Sequence, residues 1–243
     1  MRNQLTILFA FIFIACNGQS SKETELWEPV PKEVYSKTDS APPTDAIILF
    51  DGKDLSNWKA RWSEKESQWQ VNDDGSVTVV FDGTAGIQTK ENFGSVQLHI
   101  EWKTSEDTSQ KNQSRSNSGV FLQGRYEIQI LDNYKAPTYV NGQAGSVYKQ
   151  HIPLVNASRK PGEWQSYDII FDAPEFDKDG NNIKPAYFTV FHNGILIQNH
   201  VEVYGTTTNI GEPKYEAHGD GPIYLQNHCC SQVSFRNIWL RKI

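Results

Sequence analysis

Strict alternation of apolar and polar positions is the clearest pattern along this chain. In residues 95–103, Val96, Leu98, Ile100 and Trp102 alternate with Gln97, His99, Glu101 and Lys103. Successive side chains of an extended strand point to opposite faces, so the stretch predicts a strand with one face inward and one toward water or ligand. A second strand with a polar front is predicted within residues 119–132. There Glu127, Gln129 and Leu131 share one face while Ile128 and Ile130 share the other. A carboxylate and an amide then stand about 7 Å apart, at ~3.3 Å per residue. Gly119 and Gly124 bracket the first half of this stretch, and Asp132, Asn133 and Pro137 end the second with their own turn chemistry. Taken alone, the pattern describes an exposed sheet edge as well as it describes the floor of a groove.

Other segments read the same way. The continuous apolar run 46–50 predicts a strand buried on both faces. Residues 69–71 and 76–81 form a hairpin around Asp73-Asp74-Gly75, and 163–172 returns to strand. Residues 186–192 and 195–203 flank Asn193-Gly194, a pair that favours the left-handed conformations of a two-residue type I′ turn. Asp177-Lys178-Asp179-Gly180-Asn181 begins like a calcium loop but lacks flanking helical patterns and a closing glutamate, so it reads as a hairpin turn. Further strands are expected in 222–228 and 233–240. The polar loop 104–116 has no apolar anchor and is of the kind that folds over a groove or stays mobile, and 205–221 is a long excursion. No segment sustains a helical period. The prediction is an all-β fold of two packed sheets, a jelly-roll sandwich.

Composition narrows the function more than the fold. The 243 residues suit one large all-β domain. Lys+Arg 23 against Asp+Glu 29 gives a formal charge of -6 with no basic block, which argues against nucleic acid as a partner. Seven Trp and ten Tyr permit stacking on sugar rings as well as core packing. At the N-terminus, Arg2 precedes an apolar run from Leu5 to Ala15 that is shorter than the ~20 residues a spanning helix needs, as in a signal segment. Phe13-Ile14-Ala15-Cys16 resembles a bacterial lipobox, which makes Cys16 the lipidated residue and the membrane a partner through a lipid anchor only; a plain signal peptide cut near Ala15 is the other reading. Either sends the protein out of the cytoplasm, and the lipidated form belongs to the cell envelope, periplasmic or on the outer membrane. Residues 17–45 read as a flexible tether and 46–243 as the folded domain. Cys229 and Cys230 are adjacent, a spacing that strains a disulfide, so two thiols are the default expectation.

No phosphate loop, G-x-S-x-G elbow or H-E-x-x-H motif is present. Glycoside hydrolysis usually needs two carboxylates flanking the bond. Glu127 and Asp132 are the acids of the central stretch; extended strand would separate them by about 16 Å and put them on opposite faces. Gln129 stands where a second acid would be useful, and an amide neither attacks nor ionises. A conventional two-carboxylate hydrolase is therefore poorly supported.

Seven ordered motifs then carry a resemblance. Leu49-Phe50-Asp51-Gly52-Lys53-Asp54-Leu55-Ser56-Asn57-Trp58, Asn117-Ser118-Gly119-Val120-Phe121, Tyr126-Glu127-Ile128-Gln129-Ile130-Leu131-Asp132, Gly162-Glu163-Trp164, His192-Asn193-Gly194, Gly221-Pro222-Ile223-Tyr224-Leu225-Gln226-Asn227-His228 and Phe235-Arg236-Asn237-Ile238 look like the successive motifs of the bacterial 3-keto-disaccharide hydrolase (3-keto-glucoside lyase/hydratase) family. The match spans roughly residues 45 to 243; Cys229-Cys230 departs from the Gly common after the His, which puts that loop's shape in doubt. The resemblance implies a concanavalin A-like sandwich acting on glycosides whose C3 hydroxyl a separate sugar 3-dehydrogenase has oxidised. A C3 ketone acidifies the C2 hydrogen, so one base and one acid suffice: the base removes the proton, the C1 substituent leaves by β-elimination, and water can add back. Glu127 or His228 is the expected base. Gln129, Gln226 and Arg236 are expected to bind hydroxyls or the developing oxyanion, with Asp132, Asn117, Tyr148 and Trp164 also assigned to substrate binding. No cofactor is required, and a divalent ion held by Glu127, Asp132 or His228 is compatible with the residues but not called for by any ligand spacing. The alternatives are a non-catalytic carbohydrate-binding module using Trp58, Trp62 or Trp164 as a platform, and a structural envelope protein with no groove.

Overall fold

A computed structural model of the chain describes residues 21–38, 41–81, 83–228 and 232–243. Cys16, Cys229, Cys230 and the expected signal segment lie outside the described residues. The chain divides into two units, 1–34 and 35–243. Of the first, residues 21–34 are described: a 3-10 turn, Ser21–Thr24, followed by irregular chain. Described residues from Tyr35 up to Ala46 fall in the second unit and make contacts within it. Thr44 N donates to Tyr35 O (2.9 Å), and Arg241 donates to both carboxylate oxygens of Asp45 (2.8 and 2.9 Å).

The described residues of the second unit form fifteen strands: β1 (Ile47–Phe50), β2 (Trp58–Ala60), β3 (Gln70–Val71), β4 (Val77–Thr78), β5 (Gly86–Thr89), β6 (Val96–Thr104), β7 (Ser118–Leu122), β8 (Tyr126–Ile130), β9 (Gln165–Asp172), β10 (Glu175–Phe176), β11 (Asn182–Lys184), β12 (Tyr187–His192), β13 (Ile195–Glu202), β14 (Tyr224–Gln226) and β15 (Val233–Lys242). An eight-stranded antiparallel sheet runs β13-β12-β9-β6-β15-β4-β3, with β1 added on β15; a five-stranded sheet runs β2-β5-β14-β7-β8; β10 and β11 pair by themselves. This is the all-β, two-sheet jelly-roll sandwich that the alternating pattern predicts.

The core lies between the sheets. Val96, Leu98, Ile100 and Trp102 of β6, with Tyr167, Ile169 and Phe171 of β9, face Val120, Leu122, Tyr126, Ile128 and Ile130 of β7 and β8, all at most 1 % exposed. Burying side chains of this size contributes about 1.5–3 kcal/mol each and fixes the register, because a one-residue slip would turn every polar position inward. The Asn193-Gly194 hairpin forms as expected, with φ of 53° and 77°. In the Asp177 turn, the carboxylate accepts from Asp179 N and Asn181 N (2.9 Å each), which closes β10 onto β11. One local expectation fails. β1 is not buried on both faces: it pairs with β15 at the sheet margin and leaves Ile48 38 % exposed.

Both faces of β7 and β8 are buried. One face meets the core. The other is roofed by loops: Gln129 N donates to Ser146 O (3.0 Å), Tyr148 N to Glu127 O (3.2 Å), and Glu127 N to Thr207 Oγ1 (3.0 Å). These contacts occupy the outer edge of β8 and turn its polar face into the floor of a cavity.

Candidate active site

The cavity holds about 550 Å3 and is lined by Glu127, Gln129, Asn117 and Phe121 from β7, β8 and the turn before them, Gln226 and His228 from β14 and its exit, and Tyr139, Tyr148, Lys149, Thr207 and Asn209 from the roofing loops, with Gln113 at one end. Six residues expected from the sequence thus meet in one place: Glu127, His228, Gln129, Gln226, Asn117 and Tyr148. Parity explains the grouping. Phe121 pairs with Glu127 and Tyr224 pairs with Phe121, so odd residues of β7 and β8 and even residues of β14 share a face.

Glu127 is 4 % exposed, and burial pushes its carboxyl up to about 8. The Gln129 amide nitrogen donates to Gln113 Oε1 (3.1 Å) and Gly142 O (3.3 Å); with the amide turned over, its nitrogen would instead donate to Ser118 O (2.6 Å) and lie 3.3 Å from Glu127 Oε1. Opposite stands a hydrogen-bonded wall. Tyr139 and Tyr148 share a hydroxyl contact of 2.7 Å, Tyr148 donates to Asn209 Oδ1 (3.2 Å), and Lys149 Nζ donates to Asn209 O (2.6 Å) and Oδ1 (2.8 Å). Burial, then the Tyr139 hydrogen bond, keep the Tyr148 hydroxyl protonated. Asn117 is fixed by donating to Gln113 O (2.8 Å), and Ser118 Oγ donates to Gln226 O (2.8 Å), tying β14 to the start of β7. His228 is exposed and sits at the cavity margin.

Three expected substrate contacts lie elsewhere. Asp132 is buried in an ion pair with Arg115, whose Nε donates to it at 2.9 Å, and it also accepts from Tyr134 N at 3.2 Å; it braces the chain after β8 and does not line the cavity. Arg236 lies on β15 of the larger sheet, donates to Glu101 Oε2 (2.6 Å) and stacks on Trp164 (4.2 Å). Trp164 is therefore engaged on that same outer surface, where Lys103 also approaches its ring (4.9 Å). Of the other tryptophans, Trp58 is fully buried and donates to Leu49 O (2.8 Å), whereas Trp62 is 77 % exposed.

Lys149, Tyr139, Asn209, Thr207 and Gln113 are cavity residues that the sequence reading did not single out. Lys149 directly follows Tyr148, so the turn signals at Asn141-Gly142 and Gly145 were the available clue. Its left-handed backbone, φ 58°, could not be read from them. For Thr207 and Asn209 the clue was the polar Thr206-Thr207-Thr208-Asn209 run inside the long excursion. Among the described residues no three His, Cys, Asp or Glu side chains converge as a metal ion requires, and the cavity offers one carboxyl and one imidazole among amides, with an ammonium in the wall. That donor set does not fit a resident divalent ion.

Fold and site together describe a jelly-roll sandwich with a buried carboxyl on the floor of a polar, sugar-sized cavity, an arrangement that suits a carbohydrate-active protein. The family is then fixed by comparison: residues 45–241 match the model of the 3-keto-alpha-glucoside-1,2-lyase-like domain, and the chain belongs to that family of glycoside-acting proteins. A crystal structure of a candidate glycosyl hydrolase from Parabacteroides distasonis is 49% identical and covers 93% of this chain and 98% of its own, with a TM-score of 0.89. A second candidate glycosyl hydrolase from the same organism, 21% identical over 82% of this chain and 94% of its own with a TM-score of 0.57, shares the fold. No curated protein matches the chain.

Proposed function

We propose that this protein cleaves 3-keto-glycosides by removing the C2 proton and expelling the C1 substituent. The observation that carries the reading is Glu127: a single carboxyl, buried on the cavity floor, whose basicity burial raises to about 8. Such a carboxylate is a stronger base than an exposed one and suits abstraction of a proton acidified by a neighbouring ketone. Glu127 takes the C2 proton, and the bonding pair moves into the enolate. Lys149, held on Asn209, and the Tyr148 hydroxyl face the negative charge that develops on the C3 oxygen. The enolate then collapses, the C1–O bond breaks, and His228 at the margin protonates the departing oxygen. Water then adds to C1 of the enone and gives its second proton to His228, which restores the imidazole, while C2 takes a proton from the Glu127 carboxyl after that carboxyl has exchanged with solvent; the sum is a net hydrolysis. Gln129, Gln226 and Asn117 orient the ring hydroxyls.

The test is cleavage of 3-keto-trehalose against trehalose in deuterium oxide. The expected result is release of 3-keto-glucose labelled at C2, with trehalose untouched and E127Q slower by about 100-fold or more. Cleavage of trehalose, or unlabelled product, overturns the elimination route. We also place the protein in the cell envelope, anchored through Cys16 and fed by a separate sugar 3-dehydrogenase. This rests on the lipobox-like Phe13-Ile14-Ala15-Cys16, and acyl-chain mass on the mature N-terminal peptide tests it.

A further inference from the structure

We propose that the polar face of the five-stranded sheet carries a second carbohydrate subsite, built on Trp62, Arg61 and Tyr224, for a sugar ring of a glycoside longer than the cavity holds. It rests on the reading of the cavity as a sugar site. The strand pairings put Lys59, Gln88, Tyr224, Phe121 and Glu127 in one row across β2, β5, β14, β7 and β8. Arg61 follows Lys59 on the same face. A continuous series of ring contacts runs along that row: the Arg61 guanidinium lies 5.0 Å from the Trp62 ring and 4.3 Å from the Tyr224 ring, and Tyr224 lies 4.6 Å from Phe121, which lines the cavity.

The platform is rigid beneath, where Tyr224 is buried under Arg61, and open above at the Trp62 indole. Arg61 donates to Gln88 Oε1 (2.7 Å) and Gly124 O (2.9 Å), so the guanidinium cannot swing away. Trp62 is held with φ 56°, a left-handed backbone that costs a large aromatic residue about 1 kcal/mol or more, and its indole is nevertheless 77 % exposed. No core burial offsets that strain. An exposed indole fixed by a guanidinium offers an apolar face to the C–H groups of a sugar ring, with donors at its edge for hydroxyls. Two strand spacings, about 10 Å, separate β14, which carries Gln226 of the cavity, from β2, which leads into Arg61 and Trp62.

The experiment is calorimetric titration of the full chain with unoxidised gluco-oligosaccharides of increasing length, α-linked and β-linked, for wild type and Trp62→Asn. Asparagine tolerates the left-handed backbone, so the variant keeps the fold while losing the ring. We expect affinity to rise from disaccharide to trisaccharide in wild type, and W62N to weaken the trisaccharide about 5–10-fold while leaving the disaccharide unchanged. Equal trisaccharide affinity in both proteins overturns the subsite and leaves the cavity reading standing. A wild type that binds none of the sugars, yet still cleaves 3-keto-trehalose, also overturns it; one that neither binds nor cleaves overturns both readings.

Discussion

Gly119 and Glu127 are diagonal neighbours across the β7–β8 pair, in which Gly119 pairs with Gln129 and Phe121 with Glu127, and the carboxyl of Glu127 occupies the space where a side chain on Gly119 would begin. A Cβ there would lie 3.0 Å from Glu127 Cδ and 2.9 Å from Phe121 Cε2, inside van der Waals contact. The backbone of Gly119 is ordinary strand, so the restriction is one of space and not of conformation. Gly119→Ala is expected to push the carboxyl off its position. A displacement near 1 Å can cost about 100-fold in rate, against roughly 1–3 kcal/mol in stability. Measuring kcat and thermal unfolding together checks this; an active G119A enzyme would mean that the position of Glu127 does not matter.

Removing the charge of Glu127 should separate stability from activity. Its folded value, raised to about 8 from an ordinary 4.5, means that the unfolded chain ionises first. Stability is therefore lost as pH climbs from about 4.5 to about 8, and the full cost persists above that. E127Q is expected to be more stable than wild type by roughly 2–4 kcal/mol at pH 9, with the two proteins converging near pH 4, as denaturant titrations would show. The same group predicts that kcat/KM rises with pH to a plateau above about 8. A rate that falls through that region would make Glu127 the proton donor instead.

Asp132 is expected to behave as a brace. Its carboxylate is 2 % exposed and Arg115 is 15 % exposed, so truncating the acid strands a guanidinium largely out of water. Asp132→Ala should cost about 3–5 kcal/mol, and the double variant with Arg115→Ala less than the two singles combined. KM of whatever folds should stay at the wild-type value. A raised KM with unchanged melting temperature would return Asp132 to the substrate.

The contrast among Glu127, Asp132 and Arg236 shows where sequence reading stops. Period-two alternation places Glu127 and Gln129 on one face of β8 because that fact is local to five residues. It also places the inward face of β6, whose apolar side is fully buried. Which sheet a strand joins is not local. β14 and β15 are neighbours in sequence, yet β14 enters the five-stranded sheet beside β7 while β15 crosses to β6 in the other. Arg236 and Gln226, grouped by the same expected role in binding hydroxyls or the oxyanion, thus end on different layers. A bulge after Arg236, with Asn237 at φ 47°, shifts the register again before Trp239 pairs with His99. The roof is equally non-local: Lys149 and Asn209 meet over the cavity from loops 60 residues apart.

His99 gives the opposite pH signature from Glu127 on the far side of the sandwich. Burial alone would drive off its proton, but the hydrogen bond to Asp168 and then the nearby Glu101 carboxylate outweigh it and raise the imidazole to about 9 from 6.5. Its Nδ1 lies 2.6 Å from Asp168 Oδ1 and its Nε2 lies 3.8 Å from Glu101 Oε1, with Trp239 stacked on the ring at 5.1 Å. The folded state holds the proton more tightly, so this contribution is complete below about pH 6.5 and disappears as pH rises through about 9. Glu101, held down to about 2 despite its own burial by His99, Asn237 and Arg236, contributes above about 4.5 and fails only in strong acid. Asp168 is 40% exposed, which limits the imidazolium's share to roughly 1–2 kcal/mol after solvent screening. His99→Gln should therefore melt below wild type at pH 6 and approach it at pH 10. An equal gap at both pH values would assign the loss to packing against Trp239 and not to charge.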